Sequence, residues 1–476
     1  MTTETRSKML RVGYLTPARN LDPRTSWDVE SSFVIRHVFE TPFGSPHGST
    51  DVEPQLFSGP LLARGSGSTV YEARVHPGIR FSDGSEMTAE DVVRSLRSAP
   101  PIQDEAEVSA EGDRVVFALR RPNARLDLAL SHYQCSVFRA NGKTLLGTGP
   151  YLIATESTPA HVKLRRNPHY RRPVAIDEVR FDTYEPDAEG RASRLIAALE
   201  SGEVDLSLSL GRDDIDQVKG VRKSLLPGVS LAMLYLNCES PRLGDRRVRT
   251  AIARCIDRMP IAATSYANPL AFAATSLTPR PMGTADVDCT FDLDAAKRLL
   301  AEPGVHKPDS LVLRLPWGPR PYLPYPQRAG DLVAAQIGQL GIRVQCKPMA
   351  SSSDFMKTSV EGSYDMTLAG WIADTMDPCD FMESNLASNR VPQADNLAVS
   401  SNLGRLRSPE MDAAIDAFRG DRRAENLLAI TRIADREVPL VPLMYGPASS
   451  VRSYRVTNFK PTSLWYVPIE ELDVND

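Results

Sequence analysis

The chain predicts a mixed α/β protein of more than one lobe, and three observations carry that expectation. Stretches of alternating hydrophobicity and amphipathic stretches follow one another from end to end, as they do where strands and helices interleave. At 476 residues the chain exceeds a single domain of ~150 residues. Its 37 prolines are spread along the whole length, which favours many short elements joined by rigid turns over a helical bundle.

The elements can be taken in order. Leu10–Leu15 alternates apolar and polar residues as an opening strand, and Ser31–Phe43 carries a helical stripe of Phe33, Val34, His37 and Val38. Val70–Val75 predicts a strand. Thr88-Ala-Glu-Asp91 is a capping box, a Thr oxygen with an acid three residues on, opening a helix through Val92, Val93 and Leu96. Val108–Leu119, broken at Glu111-Gly-Asp113, has the form of a hairpin. Strands follow at Tyr151–Ala154, His161–Arg165 and Val179–Tyr184, then a helix at Arg191–Ser201 and strands at Val204–Leu208 and Val229–Asn237.

Helices are expected at Asp245–Ile256 and Asp292–Ala301, and a strand at Leu311–Leu315. A helix carrying Leu332, Val333, Ile337 and Leu340 stops at Gly341, a residue suited to the left-handed cap. Strands at Ile342–Lys347 and Asp365–Gly370 flank a short helix, and helices at Glu410–Phe418 and Arg423–Glu437 come late.

Several function classes are excluded early. With 56 basic and 60 acidic residues the net charge is −4, and no basic run offers a nucleic-acid footprint. No uninterrupted apolar stretch approaches the ~18 residues of a membrane span. Six cysteines lie outside any C-x-x-C pattern, so neither a zinc knuckle nor a dithiol redox site is signalled; buried thiols and paired ones both remain open. Gly142-Lys143-Thr144 has only the tail of a phosphate loop, because Val137 stands where that loop needs glycine. None of the seven histidines opens an H-E-x-x-H helix motif, and no G-x-S-x-G elbow occurs. That pattern of failures favours a binding protein over an enzyme, and no cofactor or metal is expected.

A set of ordered blocks carries more. Arg80-Phe-Ser-Asp-Gly-Ser-Glu-Met-Thr-Ala-Glu-Asp-Val-Val93 is followed by Gly147-Thr-Gly-Pro-Tyr151, Arg166-Asn-Pro-His-Tyr170 and Ser201-Gly-Glu-Val-Asp205. Then come Asn237, Asp245-Arg-Arg-Val-Arg249, Ile256-Asp257-Arg258, Gln339-Leu-Gly-Ile342, Gly370-Trp371 with Asp374, Asp377-Pro378 and Val438-Pro-Leu-Val-Pro-Leu443. In content and order these blocks resemble the family 5 extracellular solute-binding proteins, the peptide- and nickel-binding components of ABC importers. The resemblance runs from about Leu21 to Phe459, and its pattern is nearest to dipeptide- and oligopeptide-binding members.

The resemblance implies a periplasmic-binding-protein-like two-lobe α/β fold with an inserted third subdomain. Lobe I would take residues 1–40, 147–240 and 448–476, the inserted subdomain 41–146, and lobe II 241–447. Function would be non-catalytic capture of a short peptide or amino-acid-like zwitterion by hinge closure, with an ABC permease as a possible partner and a monomer as the working state. In peptide-binding members the aspartate three residues after Gly-Trp anchors the ligand ammonium; that position is Asp374. In the dipeptide-binding member the arginine of an R-P-Y segment anchors the carboxylate, which corresponds to Arg320 in Arg320-Pro-Tyr322. Trp371, Tyr322 and Trp317 would line the pocket. Residue chemistry leaves blander readings open: Asp374 as a turn cap before Asp377-Pro378, Arg320 as a solvated loop residue, and the aromatics as packing.

Two expectations pull against the family pattern. Met1–Leu15 has neither the apolar core of a secretory signal nor a lipid-attachment cysteine, so the sequence as it stands predicts a cytoplasmic protein, whereas family members are extracytoplasmic. The alternative reading is therefore a cytoplasmic relative recruited as an enzyme or carrier in a biosynthetic pathway, with cleft carboxylates or Cys379 as candidate reactive groups. A metal chelate as ligand is disfavoured because no histidine falls near Trp371.

Overall fold

The computed structural model describes residues 7–26, 28–45, 51–65, 69–142, 144–187, 191–266, 272–318, 320–373, 375–396, 401–464 and 466–475. Two compact units emerge. The first is built from residues 1–226, 374–376 and 448–476, the second from 227–373 and 377–447. The strands Arg222–Leu236 and Leu440–Arg452 each contribute residues to both units.

In the first unit, Met9–Tyr14 lies between the parallel strands Glu178–Thr183 and Leu206–Ser207. His161–Arg166 and Tyr151–Ile153 extend the sheet antiparallel on one side, and Val451 and Arg452 close it on the other. The helix Val29–Val38 starts at Asp28, whose carboxylate accepts the Ser31 amide at 2.8 Å. It packs Phe33 edge-on against Tyr14 and Phe181. This helix ends five residues earlier than its apolar stripe suggests: Phe39 is already extended, on the approach to Pro42.

A separate hydrophobic core within this unit gathers residues from Phe43 to Val137. Its four-stranded antiparallel sheet carries the expected hairpin, Ala106–Glu111 with Arg114–Leu119. The capping box forms at the helix Ala89–Leu96, with the Thr88 hydroxyl accepting from the Asp91 amide and the Asp91 carboxylate accepting from the Thr88 amide at 3.0 Å. Arg139 pairs with the same carboxylate and lies 4.4 Å above the ring of the fully buried Phe81. The long block around Asp83 and Asp91 is thus a structural device, a turn and a helix start locked by one arginine.

The second unit centres on residues 227–236, paired antiparallel with Met366–Ile372 and flanked on the other side by the strand that begins at Leu440. Ser310–Leu315 lies parallel to Met366–Ile372 and to Arg343–Pro348. Two motif arginines serve as internal clamps here. The buried Arg249 donates to the carbonyls of Glu437, Leu243 and Gly244 at 2.8, 2.8 and 3.1 Å. The buried Arg258 donates to Pro442 and Cys289, both at 2.7 Å. Each supplies a rigid fork that ties together backbone carbonyls from separate segments. Among the described residues, no helix is long and apolar enough to cross a membrane.

Two outcomes test this account of the motif residues. Asp205 is fully buried; it accepts from the Arg11 backbone and guanidinium at 2.8–3.1 Å and from Arg455 at 2.9 Å. Asp205→Ala removes the acceptor of the Arg11 amide and of two partly exposed guanidinium groups and is expected to cost about 1–3 kcal/mol in urea denaturation. At Asp91, burial works to raise the carboxyl, but the hydrogen bonds from Arg139 and Thr88 outweigh it and hold it below the usual range. Its contribution is therefore present above the unfolded carboxyl value and lost as pH falls through the lowered folded one. Asp91→Asn should lower the denaturation midpoint at pH 7, and the gap to the parent protein should narrow below about pH 4.

Candidate functional site

The segment that follows the strand Ser310–Leu315 turns back on itself before the helix Pro326–Gly338 begins. The turn is closed at both ends: the Arg320 amide donates to the Leu323 carbonyl at 3.0 Å, and the Leu323 amide donates to the Arg320 carbonyl at 2.9 Å. Leu323 is fully buried and anchors the turn, while Arg320 and Tyr322 are partly exposed. Pro326 takes the first helical position, where its missing N–H costs nothing.

From this turn the Arg320 guanidinium carbon lies 3.5 Å from the centroid of the Trp317 ring. Trp317 is 39% exposed and packs in turn against Phe355, ring centroids 6.1 Å apart. Tyr322 points the other way, onto the strand Met366–Ile372. A Cβ placed on Gly370 would fall 2.6 Å from Tyr322 Cδ2 and 2.4 Å from the Leu231 carbonyl oxygen. Only a residue without a side chain admits the tyrosine ring at that point. Gly446 does the same beneath the turn, since a Cβ there would lie 2.1 Å from Ser230 Oγ and 3.1 Å from Tyr322 Cα. Burial pushes the Tyr322 phenol upward, partly offset by the Arg320 guanidinium and the Gly370 backbone.

The structure therefore joins two of the segments singled out by sequence. The Arg320-Pro-Tyr322 turn sits directly on Gly370, and the next residue, Trp371, is partly exposed and pairs with Leu231 across the sheet. Trp317 joins this group through Arg320. Asp374 lies outside the described residues.

Neighbouring polar groups have structural partners. Asp377 caps the helix Pro378–Leu386, accepting the Cys379 amide at 2.8 Å, and takes both arms of Arg422 at 2.7 and 2.8 Å. Glu383, 1% exposed, is clamped by Arg390 at 2.9 Å and by Arg419. Cys379 is 1% exposed, and burial drives its thiol far above the usual value, the opposite of an activated nucleophile. Its Sγ faces the Ile415 carbonyl.

Concavities elsewhere lack the predicted residues. One of about 650 Å³ in the first unit runs beside Arg166, Tyr170 and Arg172, and one of about 50 Å³ in the second unit runs beside Arg254, Arg258 and Asp435. Among the described residues, no group of three or more His, Cys, Asp or Glu side chains is placed to hold a metal ion.

Sequence reading missed Gly446 and Phe355. Gly446 stands in the run Met444-Tyr-Gly-Pro447, where the glycine between bulky residues was the available signal; Phe355 gave none, being one apolar residue on a short helix.

Comparison with known proteins defines the class. Residues 59–393 match the family described as bacterial extracellular solute-binding proteins, family 5 Middle, and the chain belongs to that family. Among relatives, the peptide transport periplasmic protein SapA of Salmonella typhimurium is 25% identical over 372 residues, 72% of this chain and 64% of that protein. The chain thus spans under two thirds of that relative's length. Heme-binding protein A of Haemophilus influenzae is 23% identical over 495 aligned positions, covering 93% of this chain and 87% of that protein. The crystal structure of a dipeptide-binding protein from Pseudoalteromonas sp. SM9913, in complex with Met-Leu, superposes with a TM-score of 0.82 at 16% identity, covering 98% of this chain and all of that one. The two-lobe α/β architecture expected from the sequence is that of these periplasmic binding proteins.

The docking of Tyr322 on Gly370 yields a direct test. Gly370→Ala puts a methyl group into the Leu231 carbonyl and the tyrosine ring, and overpacking of this kind costs about 1–3 kcal/mol. Equilibrium denaturation should show that loss, whereas Gly318→Ala, with open space around its Cβ position, should leave the midpoint within a degree or two (about 0.5 kcal/mol).

Proposed function

We propose that this protein binds a short peptide or amino-acid-like zwitterion without altering it chemically, as the solute-binding component of an ABC-type importer. The two units are read as its lobes, and the mode of capture expected from the sequence, hinge closure, is part of the proposal. Arg320 is assigned to the ligand carboxylate and Asp374 to its ammonium, with Trp371, Tyr322 and Trp317 as walls. The observation that carries the reading is the seat of the Arg320-Pro-Tyr322 turn on Gly370, immediately before Trp371. It sets the segment that carries Arg320 against the strand that carries Trp371. Arginine suits the first task because its planar fork makes two parallel bonds to a carboxylate.

Peptide ligands are supported by the SapA relative and by the Met-Leu complex of the structural relative. The buried, desolvated Cys379 thiol speaks against the alternative of an enzyme built around that residue. Family membership favours work outside the cytoplasm. We take the extracytoplasmic role as the reading, since the family is described as extracellular.

Native mass spectrometry of the purified protein, offered a pool of dipeptides, should identify retained ligands. Titration calorimetry with a retained dipeptide then tests the assignment. Arg320→Gln is expected to weaken binding by roughly 30-fold or more, because an anion desolvated without its partner loses about 2–5 kcal/mol. Unchanged affinity would remove Arg320 from the site, and turnover of the dipeptide would replace the binding reading with the enzymatic one.

A further inference from the structure

We infer that Trp317 is a positioning residue that holds the Arg320 guanidinium flat, making the site selective for ligands ending in a free planar carboxylate. The inference rests on the carboxylate role proposed for Arg320. At 3.5 Å from guanidinium carbon to ring centroid, the two groups are in van der Waals contact. A tilted guanidinium would drive its N–H bonds into the indole, so contact this close requires the planes to lie near parallel. The N–H edges then project sideways past the ring, and an acceptor must approach in the guanidinium plane. Carboxylates do so with two oxygens at once; a terminal amide offers only one.

Both ends of the arginine are restrained. Its backbone is pinned by the two hydrogen bonds to Leu323, and its head rests on an indole that is itself propped by Phe355. The stack leaves Trp317 39% exposed, which is unusual for a tryptophan retained for packing alone. Exposure also means that its removal should leave the fold intact.

The test compares retained dipeptides with their C-terminal amides on five proteins: the parent, Trp317→Ala, Trp317→Phe, Arg320→Gln and the variant carrying both Arg320→Gln and Trp317→Ala. The parent should prefer the free acid. Trp317→Ala should lower that preference about tenfold, the scale of a cation–π contact that is partly desolvated, and Trp317→Phe should restore most of it. In Arg320→Gln the preference should vanish, and adding Trp317→Ala should change nothing more. Thermal unfolding of each variant serves as the control for folding.

Loss of preference in Arg320→Gln with full preference in Trp317→Ala overturns the role of Trp317 while leaving the carboxylate role of Arg320 standing. Full preference in Arg320→Gln overturns the carboxylate role of Arg320 and with it the inference, while no dipeptide retained by the parent overturns the proposed function itself. Equal weakening of acid and amide by Trp317→Ala makes the indole a plain wall and also ends the inference.

Discussion

The close approach of Tyr322 to the backbone at Gly370 is the contact on which the rest of the candidate site depends. Without a side chain at position 370, an aromatic ring from a turn some fifty residues earlier packs against the sheet. That seat sets the height of the turn above the strand, and the two backbone hydrogen bonds between Arg320 and Leu323 set its shape. Once both are in place, Arg320 leaves the turn on the side of Trp317, and Trp371 follows directly from the glycine that accepts the tyrosine. Rigid scaffolding of this kind is what lets a loop residue hold a charged group in one orientation.

Most residues in the family-like blocks serve the scaffold and not a ligand. Asp91, Asp205, Arg249 and Arg258 are all buried, and each satisfies backbone or charged groups that would be costly if left alone. Asp377 belongs with them, fully engaged by a helix start and by Arg422. Such residues are conspicuous in a sequence because a buried polar group tolerates few replacements, so a motif by itself does not separate a clamp from a binding group. What distinguishes Arg320 and Trp317 is partial exposure combined with a fixed geometry.

Some elements were legible from local pattern and others were not. The capping box at Thr88 and the hairpin around Gly112 follow from short-range chemistry and formed as expected. The strand Leu440–Arg452 did not announce itself, since Pro442, Gly446 and Pro447 read as strand breakers and twelve of its thirteen residues are buried, so no alternation remains. The helix Pro378–Leu386 is absent from the sequence expectation, although an aspartate cap followed by proline is a helix start. The strand Arg222–Leu236 begins well before its apolar stretch because Pro227 and Gly228 are carried through rather than ending it.

The amino-acid sequence alone determined the mixed α/β class and, through ordered blocks of residues at fixed spacing, the resemblance to a solute-binding family. The short list Arg320, Tyr322, Trp371, Trp317 and Asp374 is what that resemblance implies. The seat of Tyr322 on Gly370, the stack of Arg320 on Trp317 and the burial of Cys379 were decided only by the fold. Each depends on atoms brought together across long stretches of chain, or on water excluded from them, and neither distance nor exposure is encoded in the order of neighbouring residues.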